Sequence, residues 1–300
     1  MLDRLPENAR VAVIRLRSLG DCVLTTPALF ILKQARPDLD IGVAVEPRFA
    51  AVFLDNPAVS CLLEPTIGSV CGFRPHLCLN LHGGTRSMWM TALSGATFRA
   101  GFAHHKGSWI YNCPIPRAQQ ILQVDRVVHT AEHLASAIFH LGAARIEVPR
   151  AKLYAASSGE TKPYAVLHPV AATAEKTWPS SGFLEAAEHL KREHRLEPIF
   201  IGGPGDYLSP FQKYRTVLNR PLKETMSLLK DASMFIGNDS GPAHMAAAFQ
   251  IPVIVLFGLS DPVVWAPWRT ANEVLVDKNG IQNIPSRAVI AAIERLRVRA

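Results

Sequence analysis

None of the five cysteines (Cys22, Cys61, Cys71, Cys78, Cys113) forms a C-x-x-C pair, and all lie in the first half of the 300 residues. An odd, unpatterned set excludes a complete disulfide framework and reads as reduced thiols of the cytosol. The first ten residues are polar and lack the basic, apolar and small-residue regions of a signal peptide. No apolar run approaches the roughly 20 residues of a bilayer span, residues 251–259 being among the longest. The chain is therefore expected to be soluble, meeting a membrane only from outside. Charge is scarce at 19%, but 48% hydrophobic residues supply cores and exclude disorder. A basic tail is missing too. Basic residues outnumber acidic ones by 15 to 11 in residues 1–150 and by 17 to 14 in residues 151–300. That diffuse surplus, without an arginine and aromatic tract, excludes a nucleic-acid binder and suits anionic small molecules or an anionic membrane surface. Walker, G-x-G-x-x-G, G-x-S-x-G and kinase signatures are all absent. His104 and His105, and the series His129, His133 and His140, have no carboxylate partners at metal-like spacing, so no metal site is predicted.

What is present is alternation. Apolar runs at 11–16, 41–45, 77–81, 164–168, 198–201, 234–237 and 253–257 read as strands. Helical spacing fills 22–35, 49–54, 86–93, 126–141, 182–193, 222–229, 244–249 and 289–298, with Pro27 tolerated near the start of its helix. Continuous strands linked by helices predict parallel sheets covered on both faces. Residues 154–163, small and polar without period, read as a linker. The expected organisation is an α/β chain with a Rossmann-like domain at 1–155, a second at 163–285 and a final helix at 286–300.

Ligands of open parallel sheets bind beyond the carboxyl ends of strands, and the unusual residues fall in those loops. Asp21 opens a helix directly after the first strand, where a carboxylate suits a general base or simply an N-terminal cap. The loop from His168 to Trp178 carries Thr173 and Lys176, a hydroxyl and a point charge fit for a diphosphate; Trp178 and Pro179 read as its structural anchor. Asp239-Ser240-Gly241-Pro-Ala-His244 joins a strand to a helix start, where amide groups and the helix dipole favour an anion. The plainer reading of that junction is a cap, a turn glycine and a core histidine. Gly202 and Gly203 allow close backbone approach to a ligand, and Arg86 is either an acceptor contact or a surface arginine.

Taken together, five segments resemble glycosyltransferase family 9, the ADP-heptose:lipopolysaccharide heptosyltransferases. They are residues 15–29, 81–87, 168–179, 239–244 and 256–268, in family order and spacing. The resemblance implies a GT-B architecture with two Rossmann-like domains facing across a cleft, the acceptor on the N-terminal side and the nucleotide sugar on the C-terminal side. It implies an inverting enzyme with no metal or other cofactor, moving heptose from ADP-heptose to a lipid-linked saccharide of the lipopolysaccharide core. Asp21 then resembles the family's general base, and Thr173 and Lys176 its diphosphate ligands. Asp239, Ser240, Gly241 and His244 occupy the donor stretch. The final helix crosses back onto the first domain. The enzyme would work in the cytoplasm at the inner face of the inner membrane, in peripheral contact with it. Three positions depart from the pattern: Val170 replaces a glycine, Gly84 a polar residue, and Ser240 the commoner threonine. Two other readings stay open, a GT-B enzyme using another nucleotide sugar (a transferase or a sugar-nucleotide epimerase) and a catalytically silent sugar-nucleotide-binding protein.

Overall fold

Burial on both faces explains why the strands are short and apolar throughout. The computed structural model describes residues 1–171 and 173–296, and the chain divides into two units, 1–154 and 155–300. In the first unit β1 (Arg10–Ile14), α1 (Leu19–Ala35), β2 (Asp40–Ala44), β3 (Cys61–Leu63) and α2 (Ile67–Gly72) are followed by β4 (Leu77–Asn80), α3 (Thr85–Ala92), β5 (Phe98–Phe102), β6 (Cys113–Ile115), α4 (Ala118–Leu122) and α5 (Thr130–Leu141). In the second, β7 (Tyr164–His168), α6 (Ser180–His194), β8 (Glu197–Gly202), β9 (Arg215–Leu218) and α7 (Leu222–Lys230) precede β10 (Met234–Asn238), α8 (Gly241–Ala248), β11 (Val253–Phe257), α9 (Pro262–Trp265), β12 (Asn272–Val276) and α10 (Ser286–Arg295).

Each unit holds one six-stranded sheet, ordered β3-β2-β1-β4-β5-β6 and β12-β11-β10-β7-β8-β9. Neighbouring strands pair in parallel, as β1 does with β4 (Val11 beside Leu77) and β10 with β7 (Met234 beside Ala165). Counted within its own unit, each sheet reads 3-2-1-4-5-6, so strand order reverses between the first and fourth strands. That reversal opens a crevice at the carboxyl ends of β1 and β4 in one unit, and of β7 and β10 in the other.

Several boundaries differ from the sequence reading for visible reasons. The helix expected at 49–54 is a 3-10 turn at Pro47–Val52. α5 starts at Thr130 rather than 126, because His129 Nδ1 accepts from the Ala131 N–H and Glu132 accepts from the His129 N–H. α1 starts three residues early, which places Pro27 well inside it. The missing proline N–H leaves the Val23 carbonyl without its helical donor, and the Thr26 hydroxyl fills that place at 2.8 Å. α10 buries Val289, Ala292 and Ile293 in the core formed by Phe183, Ala186, Phe200 and Ile236 of its own unit. Residues 297–300, where the final helix was expected to continue, lie outside the described residues.

Candidate functional site

In the first unit the crevice between β1 and β4 is built around a buried cation. Arg15, 4% exposed, donates to the Leu81 carbonyl across the strand pair, and its Nη1 lies 3.5 Å from Asp21 Oδ1. The other oxygen of Asp21 accepts from the Ser18 hydroxyl at 3.0 Å and the Ser18 N–H at 3.4 Å, closing a capping box at the start of α1. Burial lowers the Arg15 pKa, and Asp21 opposes that shift. Asp21 keeps a quarter of its side chain exposed, so a ligand hydroxyl has access to it.

Asn80, the last residue of β4, orders the adjacent turn. Its carbonyl oxygen accepts from the N–H groups of His82 and Gly83, and its amide donates to Tyr111 and Ser87. A Cβ at Gly83 would sit 2.9 Å from the His105 ring at a φ of +72°, so glycine is required there. Around this turn His104 packs edge-on to His105, and His133 stacks on Phe102 with centroids 4.0 Å apart. Buried nitrogens His82 Nδ1 and His105 Nδ1 have no hydrogen-bond partner, which marks two polar contacts a bound molecule would satisfy. Arg86 is engaged elsewhere, donating to the Pro65 carbonyl and lying 3.7 Å from Glu46. A separate cavity of about 300 Å³, lined by Phe30, Lys33, Arg150 and Lys152, lies toward the far end of α1 from Asp21.

In the second unit the loops after β7, β10 and β11 converge. Lys176 Nζ donates to Ser260 Oγ at 2.9 Å. Ser260 also bonds the Asp239 carboxyl, whose pKa is raised by burial against the opposing effects of that bond and of the Lys176 charge. Ser240 takes the N-cap position of α8, yet its hydroxyl pairs with His168 Nδ1 at 3.1 Å instead of capping the helix. At the start of α8 the Gly241 N–H is thus left to a ligand, since Pro242 has no N–H and the Ala243 N–H donates to the Ser240 carbonyl at 3.1 Å. His244 is 5% exposed, in the helix interior, with its ring 6.4 Å from Trp265. Thr173 is exposed, and its hydroxyl holds Glu175. The N–H of Gly203 is taken by Asp206 at 2.7 Å, so that glycine pair closes its own loop.

Trp178 fixes the lysine loop from below. Its backbone N–H donates to Asn238 Oδ1 at 3.0 Å and its ring N–H to the Ile284 carbonyl at 2.8 Å. A Cβ on Gly182 would meet its ring at 2.4 Å. Asn238 and Asn80 are equivalent: each ends the fourth strand of its sheet and accepts backbone donors from a site loop.

Local reading of the sequence gave no site role to Arg15, His82, His168, Asn238 or Ser260, and weighed His105 only as a metal ligand. Their positions at or just beyond the carboxyl ends of strands were the available signal, but most of their partners come from distant segments. The neutral histidines carry a consequence for stability. Burial pushes the pKa of His168, His105 and His133 down to about 4. An unfolded imidazole binds its proton near 6.5, so between that pH and about 4 the unfolded chain takes up protons that the native one refuses. Stability is expected to fall on acidification through this window, by up to about 1.4 kcal/mol per pH unit for each histidine. Urea titrations at pH 7.5, 6.5 and 5.5 measure it, and His168→Gln is expected to flatten the slope.

A sequence model of glycosyltransferase family 9 (heptosyltransferase) matches residues 73–288. Lipopolysaccharide heptosyltransferase 3 of Escherichia coli K12 is 25% identical over 92% of this chain and 95% of its own length. A family 9 glycosyl transferase from Veillonella parvula superposes with a TM-score of 0.84 at 20% identity, covering 96% of this chain and 97% of that one. The E. coli heptosyltransferase WaaC with ADP superposes with a TM-score of 0.78 at 19% identity, covering 95% and 99%. The fold is therefore GT-B, with two Rossmann-like units.

Proposed function

The chain belongs to glycosyltransferase family 9, and from that membership we propose an inverting, metal-independent transfer of heptose from ADP-heptose to a saccharide of the lipopolysaccharide core. The observation that carries the reading is the furnishing of the two crevices. One presents an accessible carboxylate, and the other presents a lysine, hydroxyls and an uncapped helix start. These are the groups such a displacement needs. Asp21 removes the proton from an acceptor hydroxyl as its oxygen attacks the anomeric carbon. The bond from that carbon to the diphosphate breaks, its electron pair passes to the phosphate oxygen, and a single displacement inverts the centre. Lys176, the Gly241 N–H and the dipole of α8 stabilise the charge that develops on the leaving ADP. Asp239 and Ser240 hold donor hydroxyls or phosphates beside them. Relatives whose structures contain ADP and an ADP-heptose analogue support the choice of nucleotide.

Peripheral membrane contact at the cytoplasmic face fits a lipid-linked acceptor. Among the described residues no helix is long and apolar enough to cross a membrane. Trp89 on α3, Leu93 just after it and Trp109 on the neighbouring turn are 46%, 51% and 78% exposed, and such aromatic groups suit a headgroup boundary.

A thermal-shift screen of ADP-, UDP-, GDP- and dTDP-sugars tests the donor. ADP-heptose at 100 times its Kd is expected to stabilise the protein by about 2.7 kcal/mol, and the others not at all. A response to a different nucleotide alone would reassign the donor, and silence to all would favour neither transferase. Lys176→Ala is expected to weaken ADP-heptose binding by about 10- to 150-fold, the worth of a charge-assisted hydrogen bond, measured by calorimetry.

A further inference from the structure

We propose that His189, His194 and Glu294 form a binding site for one divalent transition-metal ion of the zinc class, in the second unit and independent of the transfer reaction. His189 lies in the last turns of α6, His194 is its final residue, and Glu294 belongs to α10. The two helices run side by side in the same direction. Ser286 at the start of α10 bonds Glu185 on α6, and Glu294 near its end reaches the two histidines. Because α6 begins just beyond the carboxyl end of β7 and runs back along the sheet, these histidines lie toward the end opposite the lysine loop. Fifteen residues of helix span about 22 Å.

The ligand atoms already converge. Nε2 of His189 and Nε2 of His194 stand 2.7 and 3.0 Å from the same oxygen, Glu294 Oε1, and one donor atom from each residue falls within 4.8 Å of the others. This is the one such set of three found among the described residues. Two imidazoles and a carboxylate are a recognised donor set for zinc, with ligand distances of about 2.0–2.2 Å and a position left for water. An ion would enter where the two imidazole protons now meet the carboxylate. Each ring then carries its proton on Nδ1 and offers Nε2 as a lone pair. Glu294, with 54% of its side chain exposed, has room to withdraw, while the imidazoles are held at 15% and 21% exposure. Imidazole nitrogens select against magnesium and calcium, which take oxygen ligands. The bound ion would clamp the end of α10 to α6.

The test uses the untagged full chain, stripped with chelator and titrated with zinc chloride by calorimetry, alongside melting curves. One zinc per chain is expected, with a rise in Tm that chelator reverses and that magnesium chloride does not produce. Glu294→Gln and the double variant His189→Gln/His194→Gln are each expected to lose more affinity than the roughly 10- to 100-fold that an outer-shell partner is worth. Both should leave heptose transfer unchanged. Absence of zinc binding in the wild type would overturn the proposal. So would equal affinity in the double variant, since the ion would then sit on other groups, such as the exposed thiol of Cys71. If the double variant does not fold, His194→Gln alone, at the helix terminus, gives the same comparison.

Discussion

Asp21→Asn is expected to lower the rate of heptose transfer by about 10²–10⁴-fold, the usual worth of a general base, while the affinity for ADP-heptose stays within twofold. The substitution separates chemistry from architecture because asparagine keeps an accepting oxygen. The Ser18 hydroxyl and N–H retain their partner and the capping box at the start of α1 survives. What disappears is the proton acceptor, together with the negative charge facing Arg15. Arg15 keeps its bond to Leu81, so the fold should lose little. Asp21→Ala is a harsher change. It strips both the cap and the partner of a buried guanidinium, and is expected to cost about 1–3 kcal/mol in addition to the activity. Steady-state kinetics, donor calorimetry and melting curves on the two variants distinguish the roles. Full turnover by Asp21→Asn would remove Asp21 from the mechanism, whereas a matched loss of Tm and activity would assign it to the helix start alone.

Why Asp21 was visible from sequence and its surroundings were not follows from where its partners lie. Arg15, Ser18 and Asp21 fall within seven positions of one strand-loop-helix junction, and so do Asp239, Ser240 and Gly241. Lys176 meets Ser260 across 84 residues, and His168 meets Ser240 across 72. Those pairs exist because β7, β10 and β11 are neighbours in a sheet whose order reverses at β7, a fact that no local pattern contains. Strands obeyed the same division. β7 and β11, buried at every residue, were read at their true bounds. The edge strand β9 was missed because Arg215 and Thr216 are exposed, as were the other edge strands β3, β6 and β12. β5 lies inside its sheet and was missed for another reason: Gly101 interrupts its apolar run. A Cβ there would meet the Tyr111 ring at 2.3 Å, and Tyr111 is the ring that accepts from Asn80. A glycine that weakens the strand pattern is thus what allows Asn80 to be held over the His82 turn.

Gly258→Ala carries the second large effect, and it reaches the donor site through backbone alone. Gly258 follows β11, and a Cβ there would lie 2.4 Å from the Glu175 carbonyl oxygen and 3.4 Å from Lys176 Cα. Its φ is not in the left-handed region, so alanine meets no conformational penalty, only a collision with an atom that cannot rotate away. Either the turn at Ala174–Lys176 or the segment leading to Ser260 must move, and these are the two ends of the Lys176–Ser260 hydrogen bond. Displacing a positioning group by about 1 Å costs on the order of 10²-fold in rate. Gly258→Ala is therefore expected to reduce kcat/KM for ADP-heptose by roughly that factor and to weaken donor binding in parallel. The melting temperature should change little, since both loops are near the surface and Trp178 anchors the first of them independently through Asn238 and Ile284. Gly68→Ala serves as the control. Nothing lies within 4 Å of a Cβ there, and in the first turn of α2 alanine should add at most about 0.5 kcal/mol without touching catalysis. Unchanged donor affinity in Gly258→Ala would mean that the lysine turn does not present Lys176 to the diphosphate, and the charge stabilising the leaving group would have to come from the start of α8 alone.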